Sequence, residues 1–121
     1  MTSVLTVDAS ASVRQTIKIA LTSEGYRVTE ATDGVEGLSK ATSGVFDLII
    51  TDLNMPNMDG LTMIRELRRK PDQLGVPILF LTTESDAGMK AQAKAAGATG
   101  WLTKPFDPDN LTKIVKKILA K

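Results

Sequence analysis

Five short apolar runs punctuate the chain, at Val4–Val7, Arg27–Ala31, Phe46–Thr51, Pro77–Thr82 and Gly100–Thr103. Each has the length of a strand. Two of them, Leu48-Ile49-Ile50 and Ile78-Leu79-Phe80-Leu81, are continuous instead of alternating. Successive strand side chains point to opposite faces, so a continuous run predicts burial on both faces, as in a parallel sheet. Between the runs the apolar period becomes helical. Val13, Ile17, Ala20 and Leu21 form one stripe, opened by Ser10 or Ser12 as a cap and closed by Gly25. Leu61, Ile64 and Leu67 form a second, which ends before Pro71. Leu111, Ile114, Val115, Ile118 and Leu119 form the last, with Pro108 just inside its start, where a missing N–H costs little. The Ala-rich segments Asp33–Thr42 and Asp86–Ala96 are also read as helices.

The pattern is (βα)5, with no linker, repeat or low-complexity stretch. It predicts an α/β fold: a doubly wound sandwich around a five-stranded parallel sheet with right-handed crossovers. A chain of 121 residues has room for one such domain. Ligands of these sheets bind beyond the carboxyl ends of the strands, so chemistry is expected directly after the apolar runs. Asp8 follows the first run, Asp52 the third, Thr82-Thr83 the fourth and Lys104-Pro105 the fifth. Singly, each reads as a turn former, a solvated strand end or a surface charge. Together, two carboxylates, a hydroxyl and an ammonium at one rim form a phosphoryl-transfer site. One carboxylate serves as nucleophile, Mg²⁺ and Lys stabilise phosphoryl charge, and the hydroxyl donates a hydrogen bond.

Composition removes competitors. The chain has no His, which excludes imidazole metal ligands, a Ser-His-Asp triad and a phosphohistidine donor. It has no Cys, hence no disulfide and no thiolate metal site. A hydrophobic content of 42% with 24% charged residues is ordinary for a folded globular domain. The net charge of +1 argues for neither nucleic acid nor a membrane surface. Met1-Thr-Ser lacks the regions of a signal peptide, and a cytoplasmic protein is expected.

Four segments carry a resemblance. Val-Asp followed by Arg14, Thr-Asp-Leu-Asn-Met-Pro-Asn-Met-Asp-Gly at 51–60, Leu-Thr-Thr-Glu at 81–84 and Leu-Thr-Lys-Pro-Phe at 102–106 together resemble the response-regulator receiver domain. The likeness runs over the whole chain and is to the chemotaxis, CheY-like, single-domain response regulators. It implies one receiver domain over 1–121 without an output domain. The strand order 2-1-3-4-5 comes with the resemblance, not with the periodicity. So does the function: a phosphorylation switch of a two-component system, here in chemotaxis. Asp52 matches the phosphoacceptor, charged by a histidine kinase. Asp8, Asp52 and the backbone carbonyl of Asn54 match the Mg²⁺ ligands, and Lys104 the lysine that pairs with the phosphoryl group. Thr82 matches the switch hydroxyl and Trp101 the switch aromatic. Pro56 and Asp59-Gly60 shape the loop after the acceptor, and Lys104-Pro105 matches a bond often cis in the family. Asn54 and Glu84 match positions that tune water attack on the acyl phosphate, so self-dephosphorylation is implied but no other enzymatic activity.

The resemblance also implies partners. These are the kinase, a phosphatase, and an output or motor protein on the surface made by the fourth helix, fifth strand and fifth helix; the chain itself is expected to be a monomer. Residues 86–121 hold seven Lys against three Asp, net +4, while residues 1–85 are net −3. A Lys-rich solvated face is the ordinary reading, and an acidic target segment the functional one.

One position departs from the family. Receivers carry two adjacent acids after the first strand, and here the pair reads Asp8-Ala9. Mg²⁺ takes one or two carboxylates in tight octahedral geometry. Ala9 therefore predicts weakened Mg²⁺ binding and impaired phosphorylation. A degenerate receiver acting as a phosphorylation-independent protein-binding module is the alternative. A flavodoxin-like FMN protein fits less well, since Ser10-Ala11-Ser12 is a faint phosphate loop and aromatics are 4%. A haloacid-dehalogenase-like hydrolase needs two acids separated by one residue, which neither Asp8-Ala9-Ser10 nor Asp52-Leu53-Asn54 supplies.

Overall fold

Strands and helices alternate as the periodicity predicts. In the computed structural model, which describes residues 2–83 and 87–120, the first half holds β1 (Ser3–Val7), α1 (Ala11–Thr22), β2 (Arg27–Ala31), α2 (Gly34–Ser43) and β3 (Leu48–Asp52). There follow α3 (Gly60–Arg68), a short 3-10 turn at Pro71–Gln73, β4 (Ile78–Thr82), α4 (Ala87–Ala96), β5 (Gly100–Thr103) and α5 (Pro108–Leu119). Asp86, expected to begin the fourth helix, lies outside the described residues, as does Glu84. The sheet is parallel throughout, in the order β2-β1-β3-β4-β5.

The continuous runs are continuous because they feed two cores at once. Leu5, Val7, Ile49, Ile78 and Phe80 pack with α2, α3 and α4 residues such as Ala41, Ile64, Leu67 and Ala93. Val4, Leu48, Ile50, Leu79 and Leu81 point the other way, onto Ile17 and Leu21 of α1 and Leu111 and Val115 of α5. Edge strands β2 and β5 are only partly covered, and their sequences are correspondingly more mixed. Each fully buried Leu, Ile or Phe contributes roughly 1.5–3 kcal/mol. A surface ion pair such as Lys40–Glu36 contributes about 0–1 kcal/mol. The two cores therefore dominate the stability of the fold.

Helix starts follow their caps. Ser10, not Ser12, caps α1 by accepting the Val13 N–H. Asp33, Asp59 and Asp107 cap α2, α3 and α5 in the same way. The third apolar run begins later than its hydrophobicity suggests. Phe46 packs against the core from outside the strand, and Asp47 is diverted to hold the start of β1, its carboxylate accepting the Ser3 N–H at 2.8 Å.

Candidate phosphoryl-transfer site

Because β1, β3, β4 and β5 are parallel, their carboxyl ends share one rim, and the expected residues meet there. Asp8 is the residue after β1, Asp52 the last of β3, Thr82 the last of β4, and Lys104 the residue after β5. The Lys104 ammonium lies between the two carboxylates, with Nζ 3.1 Å from Asp8 Oδ2 and 3.2 Å from Asp52 Oδ2. Residues 96 positions apart in sequence are thus joined by one hydrogen bond. Two negative groups and one positive group occupy the same small volume.

The two carboxylates differ in setting. Asp8 is 1% exposed, and its Oδ1 accepts the Ser10 N–H at 2.8 Å. Its own N–H donates to the Ala31 carbonyl at 3.0 Å. Asp52 keeps more contact with solvent, at 14% side-chain exposure, and its Oδ1 accepts the Leu53 N–H at 2.8 Å. Burial pushes the Asp52 carboxyl above its ordinary range, the Asp8 charge adds to this, and Lys104 and the Asn54 N–H oppose it. A carboxylate held electron-rich and still reachable from solvent suits a nucleophile.

The loop after Asp52 turns back on it. Asp59 caps α3, the Gly60 N–H donates to the Leu53 carbonyl at 3.1 Å, and a Cβ at Gly60 would lie 2.0 Å from the Asp52 carbonyl oxygen. Only glycine allows that approach. The exposed Asn54 sits at the start of this loop. Thr82 is buried at the end of β4, and its carbonyl accepts the Lys104 N–H at 2.7 Å. Lys104-Pro105 is cis, as the resemblance implied. Trp101 lies one face and three residues away from Lys104. It is 38% exposed, stacked on buried Phe80 at 6.3 Å between ring centroids, and capped by Lys94 and Lys90 at 4.6 and 5.7 Å.

One support was not legible beforehand. The Arg14 guanidinium donates to the Asp8 carbonyl and pairs with Glu30 of β2 at 3.2 Å, so it fixes the turn that presents Asp8. In sequence Arg14 was only a spacing marker; its position on the inner side of α1 was the available signal. The Ser10 N–H on Asp8 Oδ1 is an Asx-turn, the turn-forming habit that a strand-end Asp shows in sequence, here combined with the Lys104 contact. Around Asp8 and Asp52 the donors are oxygens only, the type a hard divalent cation takes. Among the described residues no cluster of three or more Asp, Glu, His or Cys forms a metal site.

The model of the response regulator receiver domain matches residues 4–116. Response regulator ArlR of Staphylococcus aureus is 36% identical over 121 residues, covering 100% of this chain and 54% of that protein. The chain thus spans about half the length of the curated relatives it matches. Chemotaxis response regulator CheY4 of Vibrio cholerae has a solved structure that superposes with a TM-score of 0.93 at 45% identity, covering 98% of each chain. The receiver domain of a sensor histidine kinase from Pseudomonas aeruginosa, solved with a magnesium ion in its active site cleft, gives 0.91 at 30% identity, covering 99% of this chain and 98% of that one. With the strand order and the rim of Asp8, Asp52, Thr82 and Lys104 already in place, the chain belongs to the response regulator receiver domain family.

Proposed function

We propose that Asp52 accepts a phosphoryl group from a histidine kinase and that the chain is a switch of a chemotaxis two-component system. The observation that carries this is the Lys104 ammonium bridging Asp8 and Asp52 at 3.1 and 3.2 Å. Asp52 attacks phosphorus with one carboxylate oxygen; an O–P bond forms while the N–P bond to the donor imidazole breaks. Lys104 then moves from the carboxylate pair to the incoming phosphoryl oxygens, and Thr82 donates its hydroxyl to them. Magnesium, when bound, supplies positive charge against which phosphoryl oxygens align. Asp52, Asp8 and the Asn54 carbonyl would hold it. The chemotaxis assignment leans on the likeness to CheY4 across 98% of both chains.

The output partner docks on the face of α4, β5 and α5. There Lys90 and Lys94 flank Trp101, and an acidic segment is the complementary partner. Return to the resting state occurs by water attack on the acyl phosphate, assisted by a phosphatase, in the cytoplasm.

Ala9 favours a second reading, a phosphorylation-independent binding module. One experiment separates the two. A small phosphodonor with magnesium should label the Ala9→Asp form strongly and the parent chain more weakly, and Asp52→Asn should abolish labelling in both. The Ala9→Asp change should also tighten magnesium binding in a titration. Labelling that survives Asp52→Asn removes the acceptor assignment; a restored form that takes no phosphoryl group favours the binding module.

A further inference from the structure

The loop that shapes the acceptor is held from outside the site by a residue on another element. Asn57 stands in the left-handed region, at φ 68, where most side chains are strained and Asn is among the tolerated few. Its Nδ2 donates to Asp33 Oδ2 at 2.7 Å across 24 residues of sequence. The other Asp33 oxygen caps α2 by accepting the Glu36 N–H at 2.8 Å. Beside this bond the Gly34 N–H donates to the Met58 carbonyl at 3.0 Å. A Cβ at Gly34 would fall 2.3 Å from the Met58 carbonyl oxygen, so the loop and the α2 N-terminus meet backbone to backbone.

The same loop supplies the N–H group that orients the acceptor. Leu53 N–H donates to Asp52 Oδ1 at 2.8 Å, and Asn54 is the next residue of that loop. At its far end the loop is closed onto the Asp52 backbone by Gly60. A segment anchored at both ends still has freedom in its middle. The Asp33–Asn57 bond and the Gly34–Met58 bond remove it.

We infer that Asp33 and Asn57 are positioning residues for Asp52: a clamp from α2 that sets the loop whose Leu53 N–H aims the acceptor carboxylate. The inference rests on Asp52 being the acceptor. Neither residue touches the reacting atoms. Their effect reaches Asp52 through the backbone of residues 53–58.

Asn57→Gly keeps the left-handed backbone and deletes only the side-chain bond. Asn57→Asp sets two carboxylates against each other. In the double variant Asp33→Asn/Asn57→Asp the amide sits on the helix side, its oxygen still capping Glu36 N–H and its NH2 donating to the new carboxylate. Two measurements are read on the full chain: hydrogen exchange of the Leu53 and Asn54 amides, and the initial rate of labelling by acetyl phosphate with magnesium. Asn57→Gly should speed exchange at both amides and slow labelling about tenfold, a modest fraction of what a one-ångström misplacement can cost. Asn57→Asp should do more, and the double variant should return both readouts to within about twofold of the parent, as re-formed geometry requires. A residue with only a structural role would lower the melting temperature without this recovery at the amides. Parent-like exchange and labelling in both single variants, or no recovery in the double variant, overturns the clamp. Labelling that persists in Asp52→Asn overturns the acceptor reading instead, and the exchange data then judge the clamp alone.

Discussion

At the scale of single residues, the site is a balance of three charges in a partly dry volume. Lys104 is 23% exposed on its side chain and Asp8 only 1%, so neither is a freely solvated ion. Removing the ammonium leaves two carboxylates facing each other. Breaking a fully buried pair costs about 3–5 kcal/mol, and the solvent contact of Lys104 reduces this to about 2 kcal/mol. Lys104→Met is therefore expected to lower the melting temperature at neutral pH. Lys104 opposes the upward push on the Asp52 carboxyl, so its loss raises that group's affinity for protons, and a carboxyl whose folded pKa is raised loses stability as pH rises. The difference from the parent chain should accordingly shrink on acidification. Thermal melts of the two proteins between neutral and acidic pH check this, and a difference that grows in acid would contradict it.

At the scale of elements, the capping carboxylates behave oppositely. Glu36 in the first turn of α2 accepts the Thr32 N–H at 2.7 Å and the Thr32 hydroxyl at 2.9 Å, and pairs with Lys40 at 3.1 Å. The Thr32 N–H, then the Thr32 hydroxyl, then Lys40 hold its carboxyl well down, at about 2 against an ordinary 4.5. The arrangement is a capping box displaced by one residue, reaching back to the residue before the cap. A depressed carboxyl contributes stability above its unfolded pKa, and that contribution is lost as pH falls from about 4.5 through about 2. Glu36→Gln should thus lower the melting temperature at neutral pH and approach the parent near the bottom of that window. Unequal stability that persists in full at the acidic end would show that the carboxylate charge is not what holds the turn.

Across the whole molecule, the rim of the sheet is linked to the α4–β5 surface through one pair of strands. Thr82 faces Thr103 in the β4–β5 register, and Phe80 faces Trp101 two residues further back. Trp101 rests outside on Phe80, with Lys90 and Lys94 over its ring. Each cation–π contact contributes about 0.5–1 kcal/mol at such an exposed site, which favours the outer position. Indole inserted beneath the surface would meet a core that is already filled. Beryllofluoride with magnesium should change Trp101 emission in the Ala9→Asp form and less in the parent chain. Asp52→Asn should abolish the change and Thr82→Ala reduce it. A silent Trp101 in the restored form, with ligand binding shown independently, would mark it as an ordinary packed aromatic.

Periodicity alone settled the order and type of the elements, because a strand buried on both faces and a helix buried on one leave different marks in a linear pattern. The runs at Leu48–Ile50 and Ile78–Leu81 carry that mark plainly, and both became central strands. The motif residues after the runs also sufficed to bring Asp8, Asp52, Thr82 and Lys104 together on paper, since parallel strands must end at one rim. What a linear pattern does not contain is the partner of a given group. Asp33, Asp59 and Asp107 look like Asp8 and Asp52 in sequence, yet the first three cap helices while the last two share a lysine. The boundary of β3 moved because Asp47 found the Ser3 N–H, 44 residues away in sequence. Arg14 on Asp8 and Asn57 on Asp33 are likewise contacts made across the fold. Hydrogen bonds and ion pairs act over about 3 Å in space, and only the tertiary structure decides which residues come within that reach.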